Sequence, residues 1–297
     1  MVKNVIVGAN SYLARNFIYQ LNNKYFESEY KLYGKEDNHC DGLDNYFKID
    51  IFEKNSLNSI DLDCKNIFMF VGKTGALSGF DEYEEFIKIN QISLLNLLNE
   101  YRIQKSHAKI IFISTRLVYS GLKGPQKENA PFDFKTVYAI NKFACETYLK
   151  QFSKVFGVRF IVLRLCVPYG TFIKGATSYG TLEFLLNKAK RNENIELFGD
   201  GSQRRTITYI GDFCDILYNA ANNDCCINDV YNVGGEDYSL YEMAKIIAEK
   251  YGVSVDHVSF PEYAEKIESG DTVFDSEKLD SIIGNFHKKK FIDWING

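Results

Sequence analysis

The chain has 297 residues, of which 45% are hydrophobic and 25% charged, with a formal net charge of -4. That balance excludes wholesale disorder and supplies no cationic surplus for a nucleic acid or an acidic membrane surface. No segment approaches the roughly 20 continuous apolar residues of a membrane span, and the N-terminus is too short for a signal-peptide core, so a cytoplasmic protein is expected. Cysteines stand at 40, 64, 145, 166, 214, 225 and 226. An odd number without CxxC or CxxH spacing points to free thiols and to no metal site.

In chain order, Val2–Val7 reads as a strand and Tyr12–Leu21 as a helix. Tyr30–Tyr33, Tyr46–Ile49 and Ile67–Val71 read as strands, Phe86–Tyr101 as a helix and Ile110–Ile113 as a strand. Val137–Phe156 is a long helix, followed by a strand over Phe160–Val167. Short apolar runs alternating with amphipathic stretches predict an α/β fold, a doubly wound parallel sheet of Rossmann type. After Pro168 come a helix at about 180–192, a strand Ile195–Phe198, a Gly-rich turn and an apolar run Thr206–Ile210. A helix at about 212–221 and strands near Val230–Val233 and Val255–Phe260 complete the series. The expected division is a dinucleotide-binding domain, 1–167, and a mainly substrate-binding lobe, 168–297, with some segments returning to the first sheet.

The first strand runs into Gly8-Ala9-Asn10-Ser11-Tyr12-Leu13-Ala14. A phosphate-binding turn needs small residues for the tight turn, for backbone approach to the pyrophosphate and for helix–strand packing. Gly8, Ser11 and Ala14 occupy those positions. The second strand is followed by Gly34-Lys35-Glu36-Asp37. An acidic residue there suits the ribose 2′-hydroxyl of NAD and a basic one the 2′-phosphate of NADP. With Gly34 in the acidic position, Lys35 favours NADP(H), while a slip of register brings in Glu36 and leaves NAD(H) open.

Tyr138-Ala139-Ile140-Asn141-Lys142 places a phenol and an ammonium on one helix face. A free tyrosine is a poor acid or base near pH 7, and a neighbouring cation draws its pKa down. Upstream, the strand ending in Ser114-Thr115 offers a hydroxyl to an oxygen under reduction or oxidation.

With these pieces in order, the sequence resembles the extended short-chain dehydrogenase/reductase family, in particular its nucleotide-sugar epimerases, dehydratases and reductases. The resemblance covers nearly the whole chain. It takes in the Gly8 turn, Asp50-Ile51, Val71-Gly72-Lys73, Asn90, Ser114-Thr115 with Val118-Tyr119, Glu128, Tyr138 with Lys142, Arg164 with Pro168-Tyr169-Gly170, Phe198-Gly199-Asp200-Gly201-Ser202-Gln203 and Tyr231-Asn232-Val233-Gly234. It implies Tyr138 as acid/base, Lys142 as ribose ligand and pKa modulator, and Thr115 as the polarising hydroxyl. It further implies cofactor contacts at Gly8, Asn10, Ser11, Tyr12, Leu13, Lys35, Asp50, Ile51, Val71, Gly72, Lys73, Asn90, Ser114 and Val167. Thr115, Arg116, Phe198 and Arg205 would face a nucleotide-sugar substrate. Fold analogy adds a homodimer through helices at about 86–101 and 137–156.

The departures narrow the reaction. The family's 4,6-dehydratases carry Asp-Glu immediately after the active-site Thr, where this chain has Arg116-Leu117. Its epimerase-reductases use a Cys/His pair, and no His lies between His107 and His257. Simple hydride chemistry remains: a 4-ketoreductase is favoured, with a C4 epimerase holding NAD as the alternative. A non-catalytic redox sensor is the reading of another class, and the Tyr/Lys pair argues against it. In the C-terminal lobe Arg205 is followed by Thr206 rather than an acid, and Glu268 stands where the family carries a basic residue, a charge expected to repel a diphosphate.

Overall fold

The computed structural model describes residues 3–26, 28–176, 178 and 180–297. Val2, which the sequence places at the start of the first strand, lies outside them. Five strands come first: β1 (Asn4–Val7), β2 (Tyr30–Gly34), β3 (Tyr46–Lys48), β4 (Asn66–Met69) and β5 (Lys109–Thr115). With Arg159–Leu165 and Asp229–Asn232 they form one seven-stranded sheet. Its order runs Asp229–Asn232, Arg159–Leu165, β5, β4, β1, β2, β3, and every pairing is parallel.

These strands are continuous apolar runs because the sheet is covered on both faces. Ile6, Ile111, Ile113, Ile161 and Leu163 face one core, shared with Phe17 and Leu21 of the Tyr12–Asn23 helix and Phe213 and Leu217 of the Ile210–Asn222 helix. Val5, Val7, Ile110, Phe112 and Val162 face the other, shared with Leu97 and Leu98 of the Ser93–Ile103 helix and Leu149 of the Val137–Phe156 helix. The order reverses between β1 and β4, which opens a crevice at their carboxyl ends.

Two expectations are corrected. The helix read over Phe86–Tyr101 is interrupted by a five-residue π turn, Lys88–Ile92, between helices Tyr83–Ile87 and Ser93–Ile103. Such turns widen the backbone and occur at functional sites; here the turn carries buried Asn90. The strand read over Phe160–Val167 ends at Leu165, and Val167–Tyr169 pairs instead with Arg204–Tyr209 in a second, three-stranded sheet. Pro168 lacks the N–H that a central ladder requires, and Val167–Tyr169 accordingly lies at the edge of the second sheet.

A third core gathers Leu182, Leu185, Leu197, Ile207, Met243, Ile247 and Phe291 outside the large sheet. The Ile210–Asn222 helix and the Asp229–Asn232 strand return to that sheet. Gly121, at φ +76°, lies so close to the Ser269 carbonyl that no side chain fits, which seats 269–270 against the loop following β5. No helix among the described residues is long and apolar enough to cross a membrane.

Candidate functional site

At the switch point, Gly8 turns the chain with φ +82°, and a Cβ on it would lie 2.8 Å from the Val71 nitrogen and 2.9 Å from the Phe70 carbonyl carbon. A side chain there would force the β1 and β4 ends apart. Ser11 caps the Tyr12–Asn23 helix by accepting the Ala14 N–H at 3.4 Å, and Ala14 is fully buried. A glycine turn leading into a helix N-terminus fits a dinucleotide's pyrophosphate. Tyr12 contributes only backbone to that edge, because its hydroxyl donates to the Gly170 carbonyl at 2.6 Å; Leu13 packs against the first core.

Asn10 reaches across from the same turn. Its Nδ2 donates to Glu36 Oε2 and to the Asn38 carbonyl, both at 3.2 Å, and its Oδ1 accepts the Cys40 N–H at 2.9 Å. Glu36, not Lys35, therefore faces the turn; Lys35 is exposed just past β2. Asp50 and Ile51 follow β3, with the Asp50 carboxylate accepting the Phe52 N–H at 2.9 Å and the Ile51 carbonyl accepting Asn96 Nδ2 at 3.0 Å.

Past β4, Val71, Gly72 and Lys73 line the crevice. Asn90 holds this segment from the π turn, accepting the Lys73 N–H and donating to its carbonyl, each at 3.0 Å. The Lys73 ammonium pairs with Glu82 at 2.6 Å and with Glu85. A Cβ on Gly72 would lie 3.3 Å from Asn90 Oδ1 and 3.4 Å from Lys142 Nζ, so this segment runs directly over the Lys142 ammonium.

Thr136 caps the Val137–Phe156 helix by accepting the Ala139 N–H at 3.1 Å, which fixes Tyr138 in its first turn. Tyr138 and Lys142 stand on one face, the ammonium 5.9 Å from the phenol ring centroid. The Lys142 ammonium donates to the Ile113 carbonyl of β5 at 2.9 Å. Burial pushes its pKa down to about 8, against a partial pull upward from Cys145 and Glu146. Burial drives the Tyr138 pKa up, and the nearby Thr115 hydroxyl pulls it back in part. Thr115, Tyr138 and Lys142 thus meet at the carboxyl end of β5, beside the Gly72 segment. Ser114 does not join them through its hydroxyl, which donates to Glu146 Oε1 at 2.5 Å.

The buried Lys142 charge costs stability below pH 8, and the cost fades as pH rises from 8 towards the unfolded value near 10.5. Lys142→Met is accordingly expected to stabilise the fold at pH 7 by about 1–2 kcal/mol, after allowance for the Ile113 carbonyl left without its donor. Urea midpoints at pH 7 and pH 10 check this; a variant less stable than the parent at pH 7 contradicts it.

Arg116 opens the short turn after Thr115 and donates to Ser269 Oγ at 2.8 Å and Thr272 Oγ1 at 3.3 Å. Burial, with Arg205 nearby, pushes its pKa down to about 10. Arg205 pairs with Glu268 at 2.5 Å. Val167 begins the second sheet opposite Ile207, and Phe198 packs on Phe260 at 5.6 Å, outside this group of charges. Sequence reasoning missed Glu36 as the partner of Asn10, and Ser269 and Thr272 as partners of Arg116. The sign of Glu268 was visible, but its pairing was not.

The model of the NAD dependent epimerase/dehydratase family matches residues 4–234. The chain belongs to that family. Among curated proteins it is 28% identical over 167 residues to a putative UDP-glucose 4-epimerase of Methanocaldococcus jannaschii, covering 55% of this chain and 52% of that protein. It is 23% identical over 220 residues to the CDP-paratose 2-epimerase of Salmonella typhi, covering 65% of each. The chain thus matches only about half to two thirds of the length of these relatives. The fold is shared with the Thermotoga maritima UDP-glucose 4-epimerase solved with UDP-glucose, at TM-score 0.83 and 20% identity over 99% of this chain and 96% of that one. It is shared equally with the Bacillus cereus UDP-glucuronic acid 4-epimerase solved with UDP-glucuronic acid and NAD, at TM-score 0.85 and 18% identity over the same shares.

Proposed function

We propose that this family member exchanges hydride at C4 of a nucleotide sugar, with Tyr138 as acid/base, Thr115 polarising the C4 oxygen and Lys142 holding the nicotinamide ribose. The observation that carries this reading is the meeting of Thr115, Tyr138 and Lys142 at the end of β5, followed by Arg116 and Leu117. Neither of those two can act as the second acid/base that elimination of water requires. When bound, the nicotinamide cofactor supplies the hydride acceptor and donor. The residues for it are Gly8, Ser11, Gly72 and Asn90 along the crevice, with Asp50 and Ile51 at the adenine end. The division at residue 167 belongs to the same proposal, residues 1–167 holding the cofactor and 168–297 most of the substrate.

Between the two C4 reactions, the contact of Asn10 with Glu36 favours the epimerase. A carboxylate beside the phosphate turn suits the ribose hydroxyls of NAD and repels a 2′-phosphate, and a 4-epimerase keeps its NAD. The 4-epimerase names of the Methanocaldococcus and Thermotoga proteins agree with this preference. The 4-ketoreductase is the second reading, supported by Lys35 exposed immediately past β2. Purified protein incubated with NAD and a panel of nucleotide hexoses distinguishes them. Interconversion of C4 epimers without net change in NADH absorbance is expected. Stoichiometric loss of NADPH with a 4-keto sugar would establish the reductase, and absence of any turnover with bound cofactor would favour the sensor.

A further inference from the structure

Two guanidinium groups and one carboxylate meet beside Thr115. Arg205, 2% exposed, donates through Nη2 to Glu268 Oε1 at 2.5 Å and through Nη1 to the carbonyls of Arg204 and Gly270. Glu268 Oε1 also accepts the Gly270 N–H at 3.0 Å. The Arg116 donors differ in kind. Nη1 reaches two neutral hydroxyls, those of Ser269 and Thr272, both of which are buried. Among the described residues Arg116 has no carboxylate within ion-pair distance, and its Nε and Nη2 have no protein acceptor.

The charges do not cancel. Two cations against one anion leave one positive charge in excess, and partial burial together with the like charge of Arg205 acts against Arg116. Arginine stays protonated at neutral pH, and a partly desolvated cation gains from an ionic partner. A guanidinium with two edges unfilled matches a planar carboxylate through paired hydrogen bonds.

We propose that Arg116, supported by Ser269 and Thr272, receives a single carboxylate carried on the substrate's sugar, so that the substrate is a nucleotide uronate. This rests on the C4 reading above. In a hexuronate the carboxyl carbon is attached to C5, the immediate neighbour of C4. In the chain Arg116 directly follows Thr115, the hydroxyl assigned to the C4 oxygen. Charge counting separates a carboxylate from a diphosphate here. A carboxylate needs one guanidinium and leaves the Arg205–Glu268 pair intact, whereas a diphosphate carries at least two charges and meets the Glu268 carboxylate.

The test compares sugar nucleotides that differ only at C6: UDP-glucuronate with UDP-glucose, and GDP-mannuronate with GDP-mannose. Affinities are measured by calorimetry on the NAD-loaded protein and on Arg116→Met and Arg116→Lys, with NAD binding and thermal midpoint as folding controls. The unaltered protein is expected to favour the uronate of one pair by roughly ten- to hundredfold, the range of a hydrogen-bonded ionic contact. That ratio should fall to near unity in Arg116→Met and to an intermediate value in Arg116→Lys. Equal affinity for both members in the unaltered protein overturns the uronate assignment and leaves the C4 reading standing. An equal loss for both members in Arg116→Met also overturns it, by assigning Arg116 to the diphosphate that they share. If no nucleotide sugar binds although NAD does, the nucleotide-sugar reading itself falls.

Discussion

Replacing Tyr138 with Phe is expected to lower kcat by about 10²–10⁴-fold, the usual worth of a positioned general acid or base, while NAD still binds. The substitution removes one hydroxyl and keeps the ring, so the first turn of the Val137–Phe156 helix, capped by Thr136, should be undisturbed. Lys142 keeps its bond to the Ile113 carbonyl in either case. What is lost is the proton carrier beside Thr115. Burial holds that phenol protonated, which is the form needed to donate to a keto oxygen; the Thr115 side chain favours the phenolate needed for the reverse step. The measurement is turnover of a nucleotide hexose alongside a fluorescence titration with NAD. Unchanged turnover with intact NAD binding would remove Tyr138 from the acid/base role.

The largest stability effect is expected at the buried pair Arg164–Glu146. Both side chains are 1% exposed, and the contact is bidentate, Nε to Oε1 at 3.0 Å and Nη2 to Oε2 at 2.7 Å. Arg164 Nη1 also donates to the Tyr119 hydroxyl at 2.6 Å and to the Glu128 carbonyl at 2.9 Å. The Tyr119 hydroxyl in turn donates to Asn232 Oδ1 at 2.7 Å, and Ser114 donates to Glu146. The network therefore joins the end of β5, the helix that bears Tyr138, and the strands Arg159–Leu165 and Asp229–Asn232. Arg164→Met leaves Glu146 buried without a counter-charge and is expected to cost about 3–5 kcal/mol. The double variant Arg164→Met, Glu146→Leu removes both charges and should recover much of that loss, since an apolar replacement of a whole buried pair is often nearly neutral. Urea denaturation of the single and double variants decides it. A single variant within about 1 kcal/mol of the parent would mean that the network is not holding the fold.

Local patterns account for the elements legible before the structure. Strands buried on both faces need unbroken apolar runs, and Val5-Ile6-Val7 and Ile110–Ile113 are such runs. The Val137–Phe156 helix carries its own ends, Thr136 as N-cap and Gly157 at φ +71° as C-cap, so its limits agree to the residue. Because 3.6 residues make a turn, Tyr138 and Lys142 had to share a face wherever that helix packed. Gly8 was legible for a similar reason, as a turn whose φ only glycine adopts freely.

By itself, then, the sequence determined the alternation of strands and helices, the parallel sheet that follows from it, and the pairing of Tyr138 with Lys142. Each depends on residues a few positions apart, where backbone geometry leaves little choice. Only the tertiary structure decided that the strand after Phe160 changes sheets at Cys166, that Asn90 sits in a π turn clamping Lys73, and that Glu36 rather than Lys35 meets Asn10. It also turned Glu268 from an expected repulsion into the partner of Arg205, and left Arg116 beside them with hydroxyls alone. The physical reason is common to all of these: a charge or polar group is defined by the loops that meet around it, and spacing along the chain does not record which loops meet.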